Sequence, residues 1–212
     1  MRLAKHCLWL VVLPLVLTGC PAKNPAARTP SEQPSTPSTT GSQSTGTALT
    51  VTDDAGKPVL LVAKETDKYK VSDAKGEIGT LKEEIGKLNI ADASGAKVGS
   101  VKQSEGDYTL DDKDGQKLMK FKSKEGGYRL KDTSDTMLLK IKPKDDGFKV
   151  SDGSDNALAK GKKKGDTIVV SNEAGTVLYK VSGSMSPLPT GLLVYEKLSP
   201  LQKAALITAA SQ

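Results

Sequence analysis

A five-residue signature recurs seven times between residues 49 and 172, and it constrains this chain more than any other feature. The order is apolar, any, apolar, any, then Asp or Asn. The copies start at Leu49, Tyr69, Leu88, Tyr108, Tyr128, Phe148 and Ile168, and successive starts are 20, 19, 20, 20, 20 and 20 residues apart. Self-similarity at a fixed period marks an architecture built from one repeated supersecondary unit. Within each copy apolar and polar residues alternate, which is the pattern of a half-buried strand.

The Asp or Asn closes that strand. Three residues later stands Gly56, Gly76, Gly95, Gly115 or Gly175, with Asp135 and Asp155 in the fifth and sixth units. An Asp at the start of a turn bonds its own backbone two residues on, and Gly supplies the positive φ that completes the turn. Each unit is therefore expected to be a β-hairpin with a loop of about four residues. The second strand carries apolar pairs spaced by three: Val59/Val62, Ile78/Leu81, Val98/Val101, Leu118/Phe121, Leu138/Ile141 and Leu178/Val181. Unit two has a turn one residue shorter, and unit six has Leu158 followed by Gly161. A spacing of three does not fit a flat strand. A bulge is expected to return both residues to one face and to bend the strand, which favours a curved or closed sheet. Lys82, Lys102, Lys122 and Lys142 follow the second apolar residue. They form either a basic ladder or, as Lys more often does, protection for strand edges.

The expected fold is mainly β. Seven hairpins over residues 48–186 form an antiparallel, closed barrel, followed by a C-terminal helical segment over 187–212. Pro187 and Pro189 end the repeats. Ser199-Pro200-Leu201-Gln202 has the form of a capping box with Pro at the first helical position. Leu201, Ala204, Ala205 and Ile207 continue at helical spacing. One helix is expected, broken or kinked at Ser199-Pro200, with its first part buried; the alternative for 191–198 is a final strand.

The hairpin pattern, clearest in Tyr108 to Lys122, resembles the tubby C-terminal and LURP-one/scramblase-like superfamily. That resemblance implies about twelve strands closed around a C-terminal apolar helix, with Leu192, Leu193 and Val194 placed to plug the barrel. Some members bind anionic phospholipids. The Lys- and Glu-rich hairpins are also similar in texture to spirochaete outer-surface lipoproteins of the OspA kind, which implies a partly open sheet instead.

The N-terminus carries a different signal. Arg2, Lys5 and His6 precede a mainly apolar run from Leu8 to Leu17, which is too short for a membrane span. Leu17-Thr18-Gly19-Cys20 follows and resembles the lipobox of bacterial lipoproteins. The resemblance implies removal of residues 1–19 as a signal peptide and acylation of Cys20, which anchors the chain to a membrane of the bacterial cell envelope. Residues 20–47 are rich in Pro, Ser and Thr and are expected to form a disordered tether. As a flexible coil it spans on the order of 30 Å.

Cleavage at this site takes away Cys7, Trp9 and His6, the chain's only histidine. With Cys20 lipidated, neither imidazole nor free thiol remains. Ser-His-Asp and Cys-His catalysis, His/Cys zinc sites and internal disulfides are then excluded. No enzyme, cofactor or metal is expected. Asp111 to Gly115 has the texture of a calcium loop, but alignment on Gly115 puts Leu110 and Phe121 at the first and last ligand positions, so the segment is expected to be a turn.

Formal charge is +6 for the whole chain and +4 once Arg2 and Lys5 are removed. Acidic and basic residues are interspersed along the sequence, and aromatic residues make up only 4%. Both facts argue against a nucleic-acid surface. The densest basic cluster is Lys160, Lys162, Lys163 and Lys164. It is either a contact for anionic lipid head groups, lipopolysaccharide or cell-wall polymer, or a solvated loop between units six and seven. The chain is thus expected to be a lipid-anchored, non-enzymatic structural or binding module. The alternative is a barrel that binds lipid or another hydrophobic ligand.

Overall fold

A computed structural model describes residues 46–212. The signal segment, Cys20 and all but the last two residues of the expected tether lie outside the described residues.

The first six strands are β1 (Thr47–Thr52), β2 (Pro58–Lys64), β3 (Lys68–Asp73), β4 (Gly76–Glu84), β5 (Lys87–Asp92) and β6 (Lys97–Ser104). Then come β7 (Asp107–Asp112), β8 (Lys117–Lys124), β9 (Gly127–Lys131) and β10 (Met137–Lys144). The last four are β11 (Gly147–Asp152), β12 (Ala157–Lys164), β13 (Thr167–Asn172) and β14 (Val177–Ser182). Every strand pairs antiparallel with its neighbours in sequence, and β1 pairs with β14 through Val51↔Val181. The result is a closed barrel of fourteen strands. Closure rules out the open, OspA-like sheet. It also removes every edge, so Lys82, Lys102, Lys122 and Lys142 do not protect edges. They stand on alternate strands, β4, β6, β8 and β10, and Lys102 and Lys122 are paired with Asp111 and Asp107.

Two kinds of turn alternate, one kind at each end of the barrel. At the Asp-turn end the repeated carboxylate folds back on its own loop. Asp112 Oδ1 accepts from the amides of Asp114 at 2.9 Å and Gln116 at 2.8 Å. Asp92, Asp132 and Asp152 accept from the same two positions of their own turns. These bonds define the 111–115 segment as a turn. Asp135 and Asp155 stand in the left-handed region at φ +62° and +67°, where four of the other units use Gly at φ +82° to +86°. Asp tolerates this conformation better than most residues, because its short side chain bonds locally. At the opposite, short-turn end two-residue loops such as Glu105-Gly106 and Glu125-Gly126 have positive φ at both positions, which matches the right-handed twist of the strands they join.

Each hairpin contains a register shift in its second strand, as expected. The residue skipped is the first of each apolar pair; in the fourth unit Leu110 faces Met119 and Asp111 faces Lys117, leaving Leu118 unpaired. The expectation that both residues share the inner face holds only in part: Val59, Ile78, Leu138 and Leu178 are half-buried and pack against the core, whereas Val98, Leu118 and Leu158 are 37–39% exposed. The inner face instead alternates by two: Leu60/Val62, Leu139/Ile141 and their equivalents. Six of the seven inner terminal positions are filled by Val62, Leu81, Val101, Phe121, Ile141 and Val181. The seventh is Gly161, and the Phe148 ring lies over it, so that an added Cβ would come within 2.4 Å of that ring.

A barrel this wide cannot be filled by wall side chains alone, since about eight strands is the size they fill. The C-terminus supplies the rest. The chain leaves β14, forms a 3₁₀ segment at Leu188–Val194, and returns as α1 (Pro200–Ala209). The expected helix is broken before Ser199-Pro200 into two pieces, the first of them 3₁₀. Both are buried: Leu192 and Leu193 of the first are 0% and 4% exposed, and Ala204 to Ile207 of the second are 0% exposed. Helix α1 begins at the expected capping box, in which Ser199 and Gln202 bond each other's backbone amides. Lys203 Nζ donates to the Leu193 carbonyl at 2.8 Å and ties the two pieces together; burial pushes its pKa down. Near the other end of the plug the Tyr128 hydroxyl donates to the Ala210 carbonyl.

Candidate functional site

The interspersed charge of the sequence becomes ordered in the barrel. Among the described residues every carboxylate lies in a turn, within two residues of a strand end, or in the link before α1. Twelve basic side chains, by contrast, stand at least three residues in from both ends of their strands. The barrel therefore has acidic ends and a basic waist. This overturns the expectation of an evenly mixed surface. The cause is the repeat itself: Asp and Glu build turns, while Lys alternates outward on the strands.

Most of the waist is neutralised by acids reaching up from the turns. On β8 to β10, Lys122, Arg129 and Lys140 stand directly opposite one another on adjacent strands. Lys122 pairs with Asp107, Arg129 with Glu125 at 3.2 Å, and Lys140 with Asp155 at 2.8 Å. The hydrogen bond from Lys140 lowers the pKa of Asp155, and the one that Lys122 donates to Asp107 raises the pKa of Lys122. Lys120 and Lys131 share Asp135, whose pKa is lowered chiefly by the charge of Lys120.

One repeat further on the same geometry lacks the acids. Lys142, Lys149 and Lys160 face one another across β10, β11 and β12. All three are exposed, and among the described residues none is within ion-pair distance of a carboxylate. The sequence positions explain the difference. Asp107 and Asp155 become Gly127 and Gly175 twenty residues later. Gly127 admits no side chain, because a Cβ there would sit 2.3 Å from the Ile141 carbonyl oxygen. Asp145 replaces Glu125 in the turn but makes no ion pair with Lys149 among the described residues.

A groove of about 250 Å³ lies over β11 and β12, lined by Lys144, Lys149, Lys160 and Lys162 and by Asp146 and Glu173 toward its two ends, with Phe148 and Gly161 beneath; Lys142 lies outside it. The expected cluster is thus divided. Lys160, Lys162 and Lys164 have outward parity on β12, which is a strand and not the expected loop. Lys163 pairs with inward-facing Ile168 and lines the barrel rim beside Met185 and Pro187. Sequence reasoning placed Lys142 only in a candidate basic ladder and missed Lys144 and Lys149 as members of the site. Aligning residues 142, 149 and 160 on 122, 129 and 140, together with their acids, is the signal that finds them.

The fold and site define a closed antiparallel barrel, plugged by its own C-terminus and basic at the waist. No protein-family model matches this chain, and no curated protein matches it. A solved protein of Arabidopsis thaliana is similar to it at 15% identity, over 70% of this chain and 89% of that one, with a TM-score of 0.39.

Proposed function

We propose that this chain is a tethered, non-enzymatic binding module of the bacterial cell envelope, anchored through acylated Cys20 and docking on anionic envelope material through the waist at β10–β12. The observation that carries this reading is the row Lys142–Lys149–Lys160. Like charges directly opposite each other on a sheet are destabilising, and the equivalent row one repeat earlier is neutralised from the turns. A row left open is the place where an external anion gains most. The outward lysine belt also opposes insertion of the barrel itself, because lipid-facing Lys at mid-membrane costs about 2–4 kcal/mol each. The plugged lumen, with Leu192 and Leu206 at 0% exposure, does not favour the alternative of a hydrophobic ligand held inside. The plug does support a tubby-like kinship, although fourteen strands exceed the twelve which that resemblance implies.

Two measurements test this reading. Mass spectrometry of the N-terminus from cells should find diacylated or triacylated Cys20; an intact residue 1–20 segment would refute the anchor. The chain from residue 20 with Cys20→Ser should bind an anionic phosphate-bearing surface or polymer at low salt and release it at high salt. No binding at low salt would refute the docking role.

A further inference from the structure

We propose that the occupant of the β10–β12 waist is a flexible linear phosphate polymer, lying across the strands and not along them. The inference rests on the docking role proposed above and names its partner. Its basis is how charge is arranged along the barrel axis.

A flat bilayer set against the wall would contact the full strand length. A strand of eight residues, such as β12, is about 26 Å long at strand rise. The short-turn end is balanced there, Asp145, Asp146 and Asp166 standing beside Lys144, Lys163 and Lys164, but the other end, with Asp152, Asp155 and Glu173, would be pressed against the anionic plane. A narrow chain crossing at mid-height meets the lysine row and passes between Asp146 and Glu173 at the groove's two ends. Lys142, Lys149 and Lys160 lie on successive strands about 4.8 Å apart, in register. They offer one ammonium per strand to a polymer with one phosphate per short repeat. Lys suits this role because it is a compact point charge that does not require a fixed bidentate geometry. The groove over Gly161 gives the chain a trough. Lys162 lies about 6.6 Å further along β12 from Lys160, on the same face, and thickens the positive wall, although Asp146 at 3.3 Å takes part of its charge.

Inorganic polyphosphate is the probe, compared with orthophosphate and with vesicles of anionic and zwitterionic phospholipid. The protein is the chain from residue 20 with Cys20→Ser. We expect affinity to rise from orthophosphate to chains of several units and then level off. Replacing Lys142, Lys149 and Lys160 together by Ala should weaken polyphosphate binding about tenfold or more, and should reduce the log–log salt slope by about 2. The matched triple Lys122→Ala, Arg129→Ala, Lys140→Ala removes the same charge one repeat earlier and should leave binding within about threefold of the parent. Equal loss in both triples would show attraction by net charge alone and overturn the inference. Tighter binding to anionic vesicles than to polyphosphate would overturn it too, while leaving the docking role standing. Binding to neither at low salt would overturn both. Far-ultraviolet circular dichroism of each triple confirms the fold, and single variants of Lys149 and Arg129 repeat the comparison if either triple is unfolded.

Discussion

Lys122–Arg129–Lys140 and Lys142–Lys149–Lys160 are one structure built twice. Both cross three strands of the same barrel at the same height, and their members are related by one repeat. The first has three acids at ion-pair distance, and the second has none, although Asp155 also feels the charge of Lys142. The fold holds both rows equally well, so the fold does not dictate the neutralisation. It is decided by single turn residues, and the second row keeps its repulsion. The interior beneath differs in the same direction. Under the first row Phe121 and Tyr128 stack at 4.6 Å between ring centroids. Under the second, Gly161 leaves its position to the ring of Phe148.

The largest expected effect lies in that interior. Phe148→Ala should destabilise the barrel by about 3–5 kcal/mol, through lost burial and a cavity. Gly161→Val restores the residue type found at this position in other units, yet it should cost about 1–3 kcal/mol because it overpacks against the ring. Together the two changes should cost less than their sum, with a coupling of about 1 kcal/mol or more. Urea denaturation of the four proteins measures it. Strict additivity would mean that the ring does not occupy the space that Gly161 vacates.

A smaller effect separates the rows directly. Lys149→Ala removes a charge from between two like neighbours and should stabilise the barrel by about 0.2–1 kcal/mol at low salt. Arg129→Ala removes a charge that holds Glu125 and should destabilise it. In about 1 M salt, where screening acts within some 3 Å, the gain from Lys149→Ala should vanish. If both variants lose stability equally at low salt, the rows are energetically alike and the contrast has no functional weight.

Much of this architecture was legible because it repeats. The hairpin count, the turn chemistry of Asp112 and its equivalents, the bulges, closure and the Ser199 capping box all follow from local patterns that appear several times or have a fixed spacing. Two features were not legible. The bulge was assigned correctly, but the spacing of three marks the bulged residue itself, which is exposed at Val98, Leu118 and Leu158 and packs against the core only in the other units. The lysine row was hidden because a side chain's ion partner depends on the neighbouring strand, fifteen residues away for Lys140 and Asp155. Density of charge along the chain pointed to Lys160–Lys164. The barrel replaces that cluster with Lys142, Lys149 and Lys160, which are scattered in sequence and adjacent in space.

Acid should erase the contrast. The folded pKa of Asp155 lies below its ordinary value because Lys140 bonds it. A depressed carboxylate contributes stability that is present above the unfolded pKa and lost as pH falls through the folded one. At neutral pH Lys140→Ala should therefore destabilise the barrel, whereas Lys160→Ala should not. Below the folded pKa of Asp155 the two variants should converge, each relieving repulsion from one cross-strand neighbour. Thermal melts of both variants at pH 7 and at the lowest pH where the barrel stays folded read the convergence. Persistence of the difference in acid would remove Asp155 as its cause.

The smallest effect is the most specific, because it rebuilds a lost acid. Gly175 stands where Asp155 stands one repeat earlier, at φ +86° against +67°, and a Cβ there meets nothing within 4 Å. Gly175→Asp should therefore fit and should reach Lys160 as Asp155 reaches Lys140. Losing Gly from a positive-φ position costs about 1 kcal/mol or less for Asp, and an exposed ion pair returns about 0.2–1 kcal/mol, so net stability should hardly move. The signature is the coupling. In a cycle with Lys160→Ala, Gly175→Asp should show a favourable interaction of a few tenths of a kcal/mol, weakening as salt is added. The same substitution should lower affinity for polyphosphate by occupying one ammonium of the row. Coupling without loss of affinity would place the polymer elsewhere on the barrel, and loss of affinity without coupling would indicate long-range repulsion in place of a filled contact.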